Sequence, residues 1–170
     1  MNAIQIRELN HHDCEKLHKS FSAIGWSKPV ELFQRYHKEQ VEALRRCYIA
    51  FINDDFAGYC TILRKSKYEH FATKKIAEIS DLNVLPLYQK RGIGMQLIQE
   101  CEKYAKVALN SKIIGLGVGL TADYSNALNL YLKLGYQFDG HGIAYCGKTL
   151  KYGETTTVDD EMNLYLTKNI

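Results

Sequence analysis

Apolar residues recur along the chain with two different periods, and the switches between them mark a succession of strands and helices. "AIQIREL", Ala3 to Leu9, alternates apolar and polar and predicts a first strand. In "HHDCEKLHKSFSAI" the spacing of Cys14, Leu17, Phe21 and Ile24 is helical. The short loop "GWSKP" follows. Pro29 suits a first helical turn, and Val30, Phe33, His37, Val41 and Leu44 give a second helix one apolar-leaning face. "CYIAFI", the turn "NDD" and "FAGYCTIL" predict a hairpin, and "KIAEISDLNVL" a further strand ending before Pro86. Three strands then form an antiparallel meander.

From Ile93 to Ala108 the spacing predicts a helix with Ile93, Leu97, Cys101, Tyr104, Ala105 and Ala108 inward. "KIIGLGVGL" predicts a buried strand with bare glycines at Gly115, Gly117 and Gly119. In "DYSNALNLYLKLGY", Asp123 or Ser125 can cap a short helix, and Gly135 lies where a left-handed stop is favoured. A long polar segment, "DGHGIAYCGKTLKYGETTTVDD", precedes an alternating final strand, "EMNLYLT". The strand–helix–strand unit over residues 76–119 requires a parallel pair. The fold class is therefore mixed α/β: a mostly antiparallel sheet with one parallel pair, flanked by about four helices.

At 170 residues and 46% hydrophobic, the chain is expected to form one domain spanning 1–170. Its net charge of +3 is small and its cations are scattered, so composition makes no case for nucleic-acid binding. The five cysteines are odd in number and widely spaced, without a C-x-x-C, which argues against a disulfide framework and a zinc knuckle. "NHHDCEKLH" fits one-face metal-ligand spacing poorly, so no metal is expected. No signal pattern and no long apolar run is visible, and a cytoplasmic protein without a membrane role is expected.

Chemistry enters with "YQKRGIGMQLIQE", Tyr88 to Glu100. Glycines at a helix start behind a strand leave backbone N–H groups pointing outward, which makes an anion site. By itself such a turn is equally compatible with an ordinary strand-to-helix connection. A dinucleotide fingerprint starting at Gly92 would need a small residue at position 97, which is Leu97, and no G-x-x-x-x-G-K-S/T occurs.

"LNVLPLYQKRGIGMQLI" resembles the acetyl-CoA-binding signature of the GNAT superfamily of N-acetyltransferases, Q/R-x-x-G-x-G/A, here Gln89, Lys90, Arg91, Gly92, Ile93 and Gly94. "NALNLYLKLGYQF" resembles that family's second motif, in the right order and spacing. The resemblance implies a GNAT-like fold and acetyl-CoA as cosubstrate. Amides from Arg91 to Gly94 would hold its pyrophosphate, Gln89 and Lys90 would open the loop, and the backbone of Leu82 and Val84 would pair with its pantetheine arm. Asn126 would contact coenzyme A. Gly115, Gly117 and Gly119 would bare a face for a ligand, or equally for close packing.

Acetyl transfer to an amine uses a base to remove a proton, a donor to the developing oxyanion and a proton for the departing thiolate. The resemblance places Glu78 as base and Tyr131 as general acid, and makes the Val84 amide a candidate donor to the thioester carbonyl. A salt-bridged strand glutamate and a packed tyrosine are the plainer readings of the same two residues. Asp81 is the competing carboxylate. Strict alternation sends it to the face opposite Glu78, unless a bulge in this strand upsets the parity. A ping-pong route through Cys60, Cys101 or Cys146 lacks a positioned histidine. By resemblance, the acceptor pocket draws on "IGWSKP" and on the segment before the last strand. Trp26, Tyr145 and Tyr152 are candidate walls, Glu154, Asp159 and Asp160 candidate attractors of a cation, and His141 an aid to proton removal. The expected acceptor is a small-molecule amine or a protein amino group, and the expected assembly a monomer or homodimer. The alternative is a non-catalytic acyl-CoA-binding module of the same fold, and a nucleotide-dependent oxidoreductase is disfavoured by Leu97.

Overall fold

The predicted hairpin is formed by β2 (Arg45–Ile52) and β3 (Asp55–Leu63), paired antiparallel from Arg45↔Leu63 to Ile52↔Asp55. Its two turn residues, Asn53 and Asp54, both take positive φ, the backbone of a tight turn that matches strand twist. A computed structural model describes residues 3–170 of the chain. It divides into two units, Met1–Leu63 with Asp81–Lys103, and Arg64–Ser80 with Tyr104–Ile170.

In the first unit β1 (Ile4–Glu8) adds antiparallel to β2, pairing Ile4 with Ile52. Helices α1 (Cys14–Ser22) and α2 (Val30–Val41) bury Leu17, Phe21, Phe33 and Tyr36 against Cys47 and Ile49 of β2 and Phe56 and Tyr59 of β3. Phe21 meets Tyr59 edge-on, with ring centroids 5.6 Å apart. The apolar face predicted for α2 needs correction, because Val41 and Leu44 are exposed and the buried positions are Phe33, Tyr36 and Gln40. Gln40 replaces apolar burial with two hydrogen bonds, donating to the Leu9 carbonyl (2.9 Å) and accepting the Cys47 N–H (3.1 Å). A buried amide satisfied on both ends costs little.

The second unit holds the parallel pair. β4 (Ala77–Val84) runs alongside β5 (Ile113–Gly119) from Ala77↔Ile114 to Ile79↔Leu116. β5 pairs antiparallel with β8 (Met162–Asn169), β8 with β6 (Gln137–Tyr145), and β6 with β7 (Lys148–Thr149). The expected mixed, mostly antiparallel sheet with one parallel pair is thus present. Helix α4 (Ile93–Ala108) has the predicted bounds, although Ala108, placed inward by its spacing, is exposed. With α5 (Ser125–Lys133) and a short α3 (Glu69–Lys74), the described residues form five α-helices, one more than the spacing suggested. Gly135 takes φ +87° just after α5, the expected left-handed stop. None of the helices among the described residues is long and apolar enough to cross a membrane.

The segment expected as a long polar loop is partly strand. The β6–β8 register jumps from Phe138↔Leu166 to Ile143↔Leu164, so that Asp139 to Gly142 bulge out opposite Tyr165. Such a bulge breaks the period-two pattern by which a strand is recognised.

Candidate functional site

The glycine turn is built by left-handed backbone. After β4 the chain makes a short turn at Pro86–Tyr88, and then Lys90 (φ +59°) and Gly92 (φ +82°) precede α4. The Gly92 carbonyl accepts the Gln96 N–H at 3.1 Å, so the amides of the first helical turn have no partner within the helix. Left-handed residues in such a turn let successive amides line an anion-binding concavity. There is room above it, since a Cβ on Gly92 would meet only the Met95 Cε, at 3.9 Å. Gln89, Lys90 and Arg91 are exposed, and the Arg91 guanidinium lies 5.6 Å from the Tyr88 ring centroid. The left-handed Lys90 could not be anticipated, because a lysine carries no sequence signal for it.

The end of β4 supplies a second element. Leu85 donates its N–H to the Ala57 carbonyl (2.9 Å), and a Cβ on Gly58 would lie 2.5 Å from the Asn83 carbonyl oxygen. The backbone of Asn83 and Leu85 therefore faces β3. By the period of two, Leu82 and Val84 turn theirs to the other edge, and the register with β5 has already ended at Ile79. Gln89 closes one of these groups, donating its Nε2 to the Val84 carbonyl at 3.1 Å.

Asp81, earlier in β4, takes φ +54°, and a left-handed residue inside a strand marks a bulge. Its carboxylate accepts from Lys28 Nζ (2.8 Å), Asn83 Nδ2 (2.8 Å), Tyr36 Oη (2.7 Å) and Tyr59 Oη (2.5 Å). Burial pushes the acid up, but the Lys28 charge and the hydrogen bonds from Lys28, Tyr59 and Tyr36 outweigh it and hold it below the ordinary value. Burial, then the Asp81 charge, pushes both tyrosine hydroxyls well up, so they remain donors. A carboxylate so held is a weak base. A depressed folded pKa contributes stability that is fully present above the unfolded value, near 3.8, and is lost as pH falls below it through the folded pKa. Asp81→Asn is thus expected to flatten the stability–pH curve below about pH 4. Urea titrations at a series of acidic pH values check this, and parallel curves for both proteins would contradict it.

In the second unit Glu78 pairs with Gly115 across the parallel ladder and accepts a 2.5 Å hydrogen bond from Ser66 Oγ, which in turn accepts the Tyr68 N–H. Tyr68 donates its hydroxyl to Asp139 (2.8 Å) and stacks on Tyr165 at 3.7 Å. Burial, then the Glu78 charge, raises the Tyr165 hydroxyl well above its usual value. Beside Tyr165 the β6 bulge opens a groove of about 320 Å³, lined by Phe138, Asp139 and Leu164 among others. His141, on the bulge, donates its N–H to Asp139 and stacks its ring on His70 at 3.7 Å.

Tyr131 of α5 is buried, its ring 6.2 Å from Tyr136, while Asn126 is exposed in the first turn of that helix. Tyr145 donates to Asp159 (3.0 Å) and lines an open cavity of about 820 Å³ with Lys148, Lys151 and Glu154. Trp26 stacks on Phe21 at 5.9 Å in the first unit. The face bared by Gly115, Gly117 and Gly119 is covered by the rings of Phe71, Tyr165 and Tyr124. Spacing gave no sign of the partners of Asp81 and Glu78, since Lys28, Tyr36, Tyr59 and Ser66 lie in other elements.

The profile of the Acetyltransferase (GNAT) family matches residues 8–136. Among solved structures, yncA from Salmonella typhimurium with its cofactor acetyl-CoA superimposes with a TM-score of 0.69 at 15% identity, over 99% of this chain and 94% of that one. RimL, a ribosomal alpha-N-protein acetyltransferase, gives 0.71 at 14% identity over 100% and 95%. The spermidine/spermine N-acetyltransferase SpeG from Vibrio cholerae, in mutant forms, gives 0.66 at 17% over 98% and 95%. At these identities the likeness is one of fold. A glycerate kinase of Neisseria meningitidis serogroup B is 31% identical over 103 residues, 55% of this chain, which spans about a quarter (26%) of that protein.

Proposed function

Because the chain belongs to the Acetyltransferase (GNAT) family, we propose that it moves the acetyl group of acetyl-CoA to a primary amine by direct transfer in a ternary complex, residues 1–170 acting as a single N-acetyltransferase domain. The observation that carries this reading is the left-handed turn at Lys90–Gly92, set at the head of α4 behind a strand whose Leu82 and Val84 backbone faces away from β3. It fits a pyrophosphate followed by an amide-bearing arm, which needs both an anion cradle and an unpaired strand edge.

In this reading amides from Arg91 to Gly94 hold the pyrophosphate, with Gln89 and Lys90 opening the loop and Asn126 as a further coenzyme A contact. Leu82 and Val84 pair with the pantetheine amides, the Val84 carbonyl through the lone pair that Gln89 leaves open, and the Val84 N–H is the donor to the thioester carbonyl. Glu78 takes a proton from the acceptor ammonium. The amine nitrogen forms a bond to the acetyl carbon, the carbon–sulfur bond breaks, and Tyr131 gives its hydroxyl proton to the departing thiolate; the second proton, shed by the nitrogen as it becomes an amide, restores Tyr131, and the one on Glu78 leaves to solvent. Direct transfer is supported by the state of Cys101, whose thiol burial pushes well up, away from the nucleophilic thiolate. Trp26, Asp81, His141 and Tyr145 are proposed to line the acceptor's path. A small-molecule amine and a protein amino group, the acceptor types of SpeG and RimL, are both compatible with this chemistry.

Release of coenzyme A thiol across a panel of polyamines, aminoglycosides, amino acids and peptide amines tests the activity. Tight acetyl-CoA binding with no turnover on any acceptor would mark a binding module instead. Tyr131→Phe is expected to lower kcat by about a hundredfold, the scale of a lost general acid, with acetyl-CoA affinity nearly intact. An unchanged kcat would remove Tyr131 from the mechanism.

A further inference from the structure

The carboxylate of Asp81 already holds an ammonium ion, and that ion comes from a loop. Three of its four donors are carried by regular elements: Tyr36 by α2, Tyr59 by β3 and Asn83 by β4. The fourth, Lys28, stands on the connection between α1 and α2, where residues 23–27 are exposed. Its ammonium reaches Asp81 at 2.8 Å and lies 5.8 Å from the Tyr59 ring centroid, within range of the ring's negative face. The pair is partly exposed, with 23% of the Lys28 side chain and 20% of the Asp81 side chain open to solvent. Lys28's own backbone is fixed independently, its carbonyl 2.9 Å from His18 Nδ1. The side chain can therefore leave on its flexible four-carbon stem without moving the loop. Without it, the carboxylate keeps two hydroxyls and one amide as oriented donors and lacks only its cation.

We infer that Lys28 is an internal stand-in for the acceptor, and that an acceptor bearing an aliphatic ammonium binds at Asp81 by displacing the Lys28 side chain. The inference rests on the proposal that the acceptor is an amine, and it deepens that proposal by assigning how the amine's charged form is recognised and what competes with it. A tethered competitor acts at an effective concentration on the order of millimolar, and it weakens the observed affinity by the fraction of molecules whose seat it fills. Removing it strengthens binding of the incoming ammonium. A lysine that only clamped the fold would have the opposite signature.

Calorimetric titration of the intact protein with n-butylamine hydrochloride near neutral pH, without acetyl-CoA, tests this, with n-butanol as the neutral control. The wild-type protein is expected to bind the amine and ignore the alcohol. Lys28→Met, which keeps the stem and loses the charge, should bind the amine at least about threefold tighter, and Asp81→Asn should show no measurable binding. Equal or weaker binding by Lys28→Met, or unchanged binding by Asp81→Asn, overturns the inference. Lys28→Gln, which retains a polar donor for Asp81, carries the same expectation should the methionine variant not fold. A parallel assay of coenzyme A release separates the two levels. The expected binding pattern without thiol release leaves the ammonium seat standing and refutes acetyl transfer to this amine, whereas thiol release without the pattern refutes the seat.

Discussion

Gly92→Glu is expected to weaken acetyl-CoA binding by about a hundredfold or more. Two effects add. Residue 92 has φ +82°, and a side chain held there costs about 1–2 kcal/mol, whether the turn keeps its shape under strain or shifts and misdirects its amides. The new carboxylate also lies at the positive end of α4, in the place proposed for the pyrophosphate, and spoiling a favourable partly buried anion site is worth up to about 2 kcal/mol. Together they reach roughly 3 kcal/mol, or about two decades in Kd. Gly92→Ala carries only the backbone effect, since its methyl would meet just the Met95 Cε at 3.9 Å, and about a tenfold loss is expected. Gly94→Glu should weaken binding as well, through the same charge, by up to about thirtyfold. Titration calorimetry on folded variants measures each. An unchanged Kd in both glutamate variants would remove this turn as the phosphate seat.

Gly115→Ala is expected to destabilise the protein by about 3 kcal/mol, at the upper end for overpacking a filled core. A Cβ at position 115 would lie 2.2 Å from Cε2 and 2.4 Å from Cζ of Phe71, a ring that is buried and packed edge-on against Tyr165 at 5.3 Å. The ring cannot swing away as a flexible surface chain would. Trimming it should relieve the conflict, so Gly115→Ala is expected to cost far less in a Phe71→Leu background than alone. The difference between the two costs is a direct coupling between neighbours. Urea unfolding of the four proteins of this cycle gives it, and additive costs would show that Phe71 does not set the requirement for glycine.

Gly92 and Gly115 differ in how much of their role the chain alone displays. Gly92 announces itself, because a glycine between a strand and an amphipathic helix is a local feature with a local reason. Gly115 was equally compatible with a ligand or a packed neighbour, and the ring that decides it comes from α3, a six-residue helix too short to leave a periodic trace. The same limit applies to Asp81. The sequence presents its carboxylate as a candidate whose orientation turns on a bulge. Its four donors come from sequence positions as far away as Lys28, and no spacing rule joins them. In β6 the local signal pointed the other way: "DGHG" has the composition of a loop, yet positive φ at Gly140 and Gly142 lets it remain within a strand as a bulge.

By itself the sequence determined the periodic elements, their order and the parallel pair, because burial imposes a period of two or 3.6 on any segment long enough to display it. It also located the glycine turn before α4, since the residues that shape that turn are consecutive in the chain. Only the tertiary structure decided which side chains close on Glu78 and Asp81, which rings occupy the space above the glycines of β5, and where left-handed backbone falls on residues other than glycine. Those outcomes depend on contacts between distant segments, and the free energy that selects them belongs to the packed core rather than to any stretch of chain.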